Sequence, residues 1–110
     1  MAAAVAIGAF GAHILKRRLA PEMFEVFEVG VRYHVYHALA LFVVAWLSTV
    51  GGTRFVASAG AAFAAGIVVF SGSLYLYALT GMKAWAMVTP LGGLSFIAGW
   101  ALLFFGIKLA

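Results

Sequence analysis

The chain has 110 residues, of which 66% are hydrophobic and 9% are charged, and it contains no cysteine. Soluble domains are about one quarter charged, so this composition predicts one integral membrane domain over residues 1–110, with no room for a soluble domain. The seven Lys and Arg are scattered, which excludes a phosphate-tracking nucleic-acid surface. The lack of cysteine excludes disulfides, thiolate metal sites and cysteine nucleophiles.

The first apolar stretch, residues 1–15, is short for a membrane span. As a helix it reaches only about 21 Å, against about 30 Å for the hydrocarbon core of a bilayer. It closes with His13 and leads into three consecutive cations at residues 16–18. We expect it to be the first of the membrane spans.

The sequence pattern of residues 21–31 predicts a short amphipathic helix that lies at the membrane interface. Pro21 suits the first turn of a helix, and acidic residues follow it as the helix dipole prefers. The acids recur at every third position, at Glu22, Glu25 and Glu28. With about 100° between residues they share one face. The opposite face is apolar, with Phe24, Phe27 and Val31.

Three further spans are predicted, at residues 33–50, 55–80 and 89–109. Tyr33 and Tyr36 at the entry of the second span suit the headgroup level. Thr89 and Pro90 are typical of a helix start, as N-cap and first-turn residue. Because short turns join the four spans, we expect an all-α, up-down bundle with the interfacial helix between spans 1 and 2.

The distribution of cations predicts the orientation. Five of them fall on one side of the predicted topology: Lys16, Arg17, Arg18, Arg32 and Lys83. Two fall on the other side, Arg54 and Lys108. The positive-inside rule therefore predicts that the first loop and the third turn face the cytoplasm, with both termini outside.

Small residues recur at intervals of seven in the last two spans. The members that we expect to pack helices together are Gly66, Ser73, Gly92, Gly99 and Gly106. In lipid, helix association depends on such close approaches, and a seven-residue repeat keeps one seam facing its partner. Ser71, Ser73 and Tyr75 are expected to make interhelical hydrogen bonds or, alternatively, to line a cavity with Thr89.

Four polar residues near the predicted cytoplasmic side form a candidate cluster: His13, Glu28, Arg32 and His37. Polar groups at membrane depth are candidates for function. Two imidazoles with Glu28 could hold zinc, copper or haem, but two histidines without a metal-spaced motif are a weak signal. The preferred interpretation is a hydrogen-bonded clasp. His34 is interpreted as an interfacial residue.

Several runs of sequence resemble a known family. They are GAFGAH at 8–13, FEVGVRY at 27–33, YHALA at 36–40, FSGSLY at 70–75, ALTG at 78–81, TPLGG at 89–93 and AGW at 98–100. Together they resemble the integral-membrane family of unknown function number 423, the YgdD/YwdK group, which is related to the transmembrane-protein-256 family. The resemblance implies a four-helix protein of the bacterial inner (plasma) membrane, and it implies no established activity, substrate or cofactor.

The sequence contains no legible nucleophile–base–orienter set and no phosphate-binding glycine loop. We therefore predict a non-enzymatic accessory or structural subunit, without a cofactor, that packs in the lipid bilayer against other membrane proteins or against itself. The alternative is a binder or carrier of a small hydrophobic ligand, lipid, metal or haem near the level of His13 and His37.

Overall fold

A computed structural model of the protein describes the backbone of residues 1–109 and the side chains of residues 1–107. Within that range the chain is helical and has no strand, which confirms the predicted all-α class. We number the helices in chain order: α1 covers residues 2–18, α2 Pro21–Thr49, α3 Arg54–Thr80 and α4 Lys83–Leu109. Two helices include a π-helical segment, Gly11–Leu15 in α1 and Ile67–Ser71 in α3.

Three helices in the described part of the chain are long and apolar enough to cross a membrane, by length and composition. They are Pro21–Thr49, Arg54–Thr80 and Lys83–Ile107. Helix α1 is not among them, since at about 25 Å it is shorter than the hydrocarbon core. Of the four spans expected from the sequence, the last three thus correspond to candidate spans in the structure, and the first corresponds to the shorter helix α1.

The predicted interfacial helix at residues 21–31 and the predicted span at residues 33–50 form one continuous helix, α2. No proline follows Pro21 in this helix. Gly30, where a break could fall, instead packs against α3, because a Cβ there would lie 2.8 Å from Cε1 of Tyr75. Phe27 is buried on the inner face, whereas the three glutamates of this segment are exposed.

Helix α4 begins at Lys83, six residues before the predicted start at residue 89. Pro90 therefore lies inside the helix, where it removes one main-chain hydrogen bond. The turn before it is held by Thr89, whose hydroxyl is hydrogen-bonded to that of Ser73 on α3 at 2.5 Å and to the Trp85 carbonyl at 3.3 Å. The structure thus places Pro90 inside a continuous helix, and not in its first turn as expected from the sequence.

Consecutive helices run antiparallel, and α3 packs against both α2 and α4. Its Val56, Ala59 and Phe63 are the most deeply buried apolar side chains of the larger core cluster. The molecule is 48 Å long but measures 26 Å by 14 Å across. The helices therefore form a flattened group with α3 in the middle.

The small residues expected to pack helices all lie at the contact of α3 with α4. Gly66 faces the ring of Phe96, and Gly99 faces Phe63, whose Cδ1 would lie 2.7 Å from an added Cβ. A Cβ on Gly106 would lie 2.9 Å from Val56 Cγ2. A Cβ on Gly92 would overlap the backbone nitrogen of Phe70, and Ser73 is the partner of Thr89.

Candidate functional site: an aromatic cleft between two helices

An open cleft of about 640 Å³ lies between α2 and α4. Its lining is aromatic apart from one glycine and one isoleucine: Tyr33, Tyr36, His37, Phe70, Gly93, Phe96, Ile97 and Trp100. Tyr33, Tyr36 and His37 come from the middle of α2, and Phe96 and Trp100 from the middle of α4. Both helices are candidate membrane spans by length and composition, and the cleft opens between them at mid-helix.

His37 is the polar centre of the cleft and is 4% exposed. Its Nδ1–H donates to the main-chain carbonyl of Tyr33 at 2.8 Å, and its Nε2 accepts from the indole N–H of Trp100 at 3.0 Å. A carbonyl can only accept and an indole N–H can only donate, so these partners fix the tautomer with the proton on Nδ1. The imidazole is neutral and both of its nitrogens are occupied.

Contacts with neighbouring aromatic rings also hold His37 in place. The imidazole is stacked on Phe96 with ring centroids 3.5 Å apart and planes within 7° of parallel. Phe63 of α3 lies behind it at 5.6 Å and also contacts Trp100 at 4.7 Å. The back of the cleft is therefore preorganised.

The tyrosines continue this aromatic wall towards the opening. Tyr33 packs on Phe70 with centroids 4.9 Å apart and meets Tyr36 edge-on at 5.6 Å. Both tyrosines are exposed, Tyr36 by 53%. They lie beside the cleft in the middle of α2.

A second polar group lies on the side of α2 that faces α3. His34, expected to be interfacial, is buried, and its Nδ1 is hydrogen-bonded to the Tyr75 hydroxyl at 2.9 Å. The fully buried Ser71 hydroxyl donates to the Gly30 carbonyl at 2.7 Å. Together with the pairing of Ser73 and Thr89, these contacts confirm the interhelical hydrogen bonds expected of Ser71, Ser73 and Tyr75.

The structure does not bring together the four residues of the expected polar cluster. His13, Glu28 and Arg32 are exposed, and in the described part of the chain none of them hydrogen-bonds to His37 or forms a salt bridge. Glu28 and His37 are nine residues apart on one helix, which is about 13 Å along its axis. Glu28 and Arg32 instead line a separate cavity of about 220 Å³ between α1 and α2.

The described residues do not form a metal site near His13 and His37. No group of three or more His, Asp or Glu side chains among them is close enough to hold an ion. A metal on His37 would have to displace Trp100 from Nε2. The partner that sequence reasoning missed is Trp100, 63 residues away along the chain. Its signal was an indole N–H in the middle of an apolar span, since such a group needs an acceptor.

Comparison with known proteins gives one family. The model of a family described as a protein of unknown function, DUF423, matches residues 7–93. The UPF0382 membrane protein YwdK of Bacillus subtilis is 46% identical over 101 residues, covering 91% of this chain and 82% of that protein. The UPF0382 inner membrane protein YgdD of Escherichia coli is 40% identical, covering 93% of this chain and 78% of that protein. No solved structure matches significantly.

Proposed function

The chain belongs to the DUF423 family of membrane proteins, and we propose that it is a non-enzymatic accessory subunit which packs against another integral membrane protein. The observation that carries this proposal is the aromatic cleft between α2 and α4. Both nitrogens of its histidine are paired within the chain, so the imidazole does not serve as a free base or nucleophile, and the cleft offers a shaped, mainly aromatic surface.

The occupant that we propose for the cleft is one transmembrane helix of the partner protein. Gly93 supports this choice, because a Cβ there would meet nothing closer than 3.8 Å, so internal packing does not require a glycine. Glycine in a helix interior is unfavourable by about 1 kcal/mol relative to alanine. Small residues on an open helix face allow a second helix to approach closely in lipid.

The placement of the cations supports the proposed orientation in the inner membrane, with both termini outside. Leu15 and Ala78 share one buried cluster, so the cationic residues 16–18 and the turn before Lys83 lie at the same end of the molecule. Arg54 begins α3 at the opposite end. In this proposal α1 also spans the membrane, which brings the number of spans to four. The exposed glutamates of α2 lie at the cytoplasmic interface.

Purification from native membranes tests the proposal. Wild-type protein in a gentle detergent should co-purify with one partner protein in a fixed stoichiometric ratio. Gly93→Leu should fill the cleft and lose that partner, whereas Gly93→Ala should keep it. Wild-type protein that elutes alone, or a partner that Gly93→Leu retains, would contradict the accessory-subunit role.

The volume of the cleft favours one alternative. About 640 Å³ lies within the range of small-molecule sites, roughly 300–1,000 Å³, and such sites are mostly apolar. A small hydrophobic ligand or lipid held among Tyr33, Phe96 and Trp100 is therefore the second candidate. Binding of a metal ion or haem at this level is not supported, because both nitrogens of His37 already have hydrogen-bond partners. Extraction of the purified protein with organic solvent would identify such a ligand.

A further inference from the structure

A second groove lies on the outer surface between α3 and α4, and it shares no lining residue with the aromatic cleft. It measures about 450 Å³. Val68, Gly72 and Leu76 line it from α3, and Trp85 and Val88 from α4. The α3 residues extend over about 12 Å along the helix axis. Ser73 also lines the groove, but its hydroxyl is paired with the Phe70 carbonyl and Thr89, so the lining is mainly apolar.

Trp85 gives this groove one unsatisfied polar group. Its indole Nε1 is buried and has no hydrogen-bond partner among the residues that the structure describes. An indole N–H can only donate, and buried donors in proteins are almost always paired. The corresponding atom of Trp100 does have its acceptor, His37. Trp85 therefore needs an acceptor oxygen that the described chain does not supply.

Gly72 leaves the wall of the groove bare. A Cβ at this position would meet nothing within 4 Å. Packing within the chain thus gives no reason for a glycine here, although glycine is unfavourable in a helix interior. The exposed backbone lets an occupant lie directly against α3.

Position and charge indicate the occupant. Trp85 lies in the first turn of α4, two residues after the exposed Lys83. Tryptophan at the end of a span lies at the level of the lipid headgroups, and lysine there attracts lipid phosphate. We propose that the groove binds one glycerophospholipid, with an acyl chain along Val68, Gly72 and Leu76. When the lipid binds, the indole of Trp85 rotates so that its N–H, which is buried in the unoccupied groove, donates to an ester carbonyl, and Lys83 faces the phosphate.

Native mass spectrometry of the delipidated protein, titrated with phosphatidylglycerol, tests this site. Wild-type protein should hold one lipid more tightly than any further ones. Trp85→Phe removes the donor, keeps an aromatic side chain of smaller size, and should weaken that first binding at least about five- to tenfold, the factor expected for one neutral hydrogen bond. Gly72→Leu fills the groove and should abolish the tight class. Trp46→Phe, on the exposed face of α2, is the matched control and should bind as wild type.

Quenching of tryptophan fluorescence by phosphatidylglycerol with brominated acyl chains gives a second measurement. Wild-type protein should lose a larger fraction of its emission than Trp85→Phe, and Gly72→Leu should lower that fraction in the same way. Circular dichroism establishes that each variant is folded. Folded Trp85→Phe and Gly72→Leu variants that bind lipid as tightly as wild type would overturn the proposal. A wild-type protein without a tight lipid would overturn it as well.

Discussion

The indole N–H of Trp100 on α4 donates a hydrogen bond to Nε2 of His37 on α2 over 3.0 Å. This hydrogen bond joins the two helices that flank the aromatic cleft, and α3 packs against both of these helices on the side away from the opening. Because His37 also donates to its own helix and stacks on Phe96, this contact fixes the spacing of the cleft walls. The protein thus holds an open lateral cleft without leaving its polar centre unpaired.

Loss of this hydrogen bond should destabilise the protein. Trp100→Phe keeps an aromatic ring but leaves Nε2 of His37 without a donor, and we expect the free energy of unfolding in detergent to fall by at least about 1 kcal/mol. Trp46→Phe, at a side chain that is 62% exposed on α2, should change it by less than about 0.5 kcal/mol. Equal effects of the two substitutions would show that the bond contributes nothing.

Two adjacent glycines of α4 should respond in opposite ways to alanine. A Cβ on Gly92 overlaps the backbone of Phe70, which cannot move without shifting α3, so Gly92→Ala should cost at least about 2 kcal/mol. Gly93 has free space, and Gly93→Ala should be neutral or stabilise by up to about 1 kcal/mol. Thermal unfolding followed by circular dichroism separates the two. A stable Gly92→Ala variant would mean that α3 and α4 do not approach this closely.

The buried hydroxyl of Ser71 should matter in the same way between α2 and α3. Ser71→Ala leaves the Gly30 carbonyl without its side-chain donor and should lower the free energy of unfolding by about 1 kcal/mol. Ser58→Ala, on the exposed face of α3, is the control and should have an effect within about 0.5 kcal/mol. If the two variants unfold at the same temperature, the bond to Gly30 is not stabilising.

The helices and the seam between α3 and α4 were accessible from the sequence, because hydrophobic length and the spacing of Gly66, Gly92 and Gly99 depend on local patterns. The continuity of α2 was not, because the charges of residues 22–32 are typical of an interfacial segment. The structure shows that these residues continue into the span, with Gly30 packed on Tyr75 where a break could fall.

The candidate site was harder to predict than the fold. The sequence singled out His37, but it suggested His13 and Glu28 as partners since both are polar and nearby in the predicted topology. The actual partner, Trp100, follows from the flattened arrangement that brings the middle of α4 opposite the middle of α2. Pairing between helices that are not consecutive has no local signal in one sequence.

The proposed orientation can be tested by cysteine labelling, since the chain has no native cysteine. Val50 and Met82 are exposed at opposite ends of the molecule and suit single substitutions. A membrane-impermeant maleimide added to intact cells should label Val50→Cys and leave Met82→Cys unlabelled until the cells are opened. The reverse pattern would invert the topology.

Site-specific photo-crosslinking from within the cleft tests the central claim most directly. Ile97 lines the cleft and is 66% exposed, whereas Phe42 is exposed on α2 away from the cleft lining. With a photoreactive residue at each position in native membranes, we expect Ile97 to give one discrete adduct with another membrane protein and Phe42 to give only lipid adducts. Lipid adducts alone from both positions would contradict a docked partner helix.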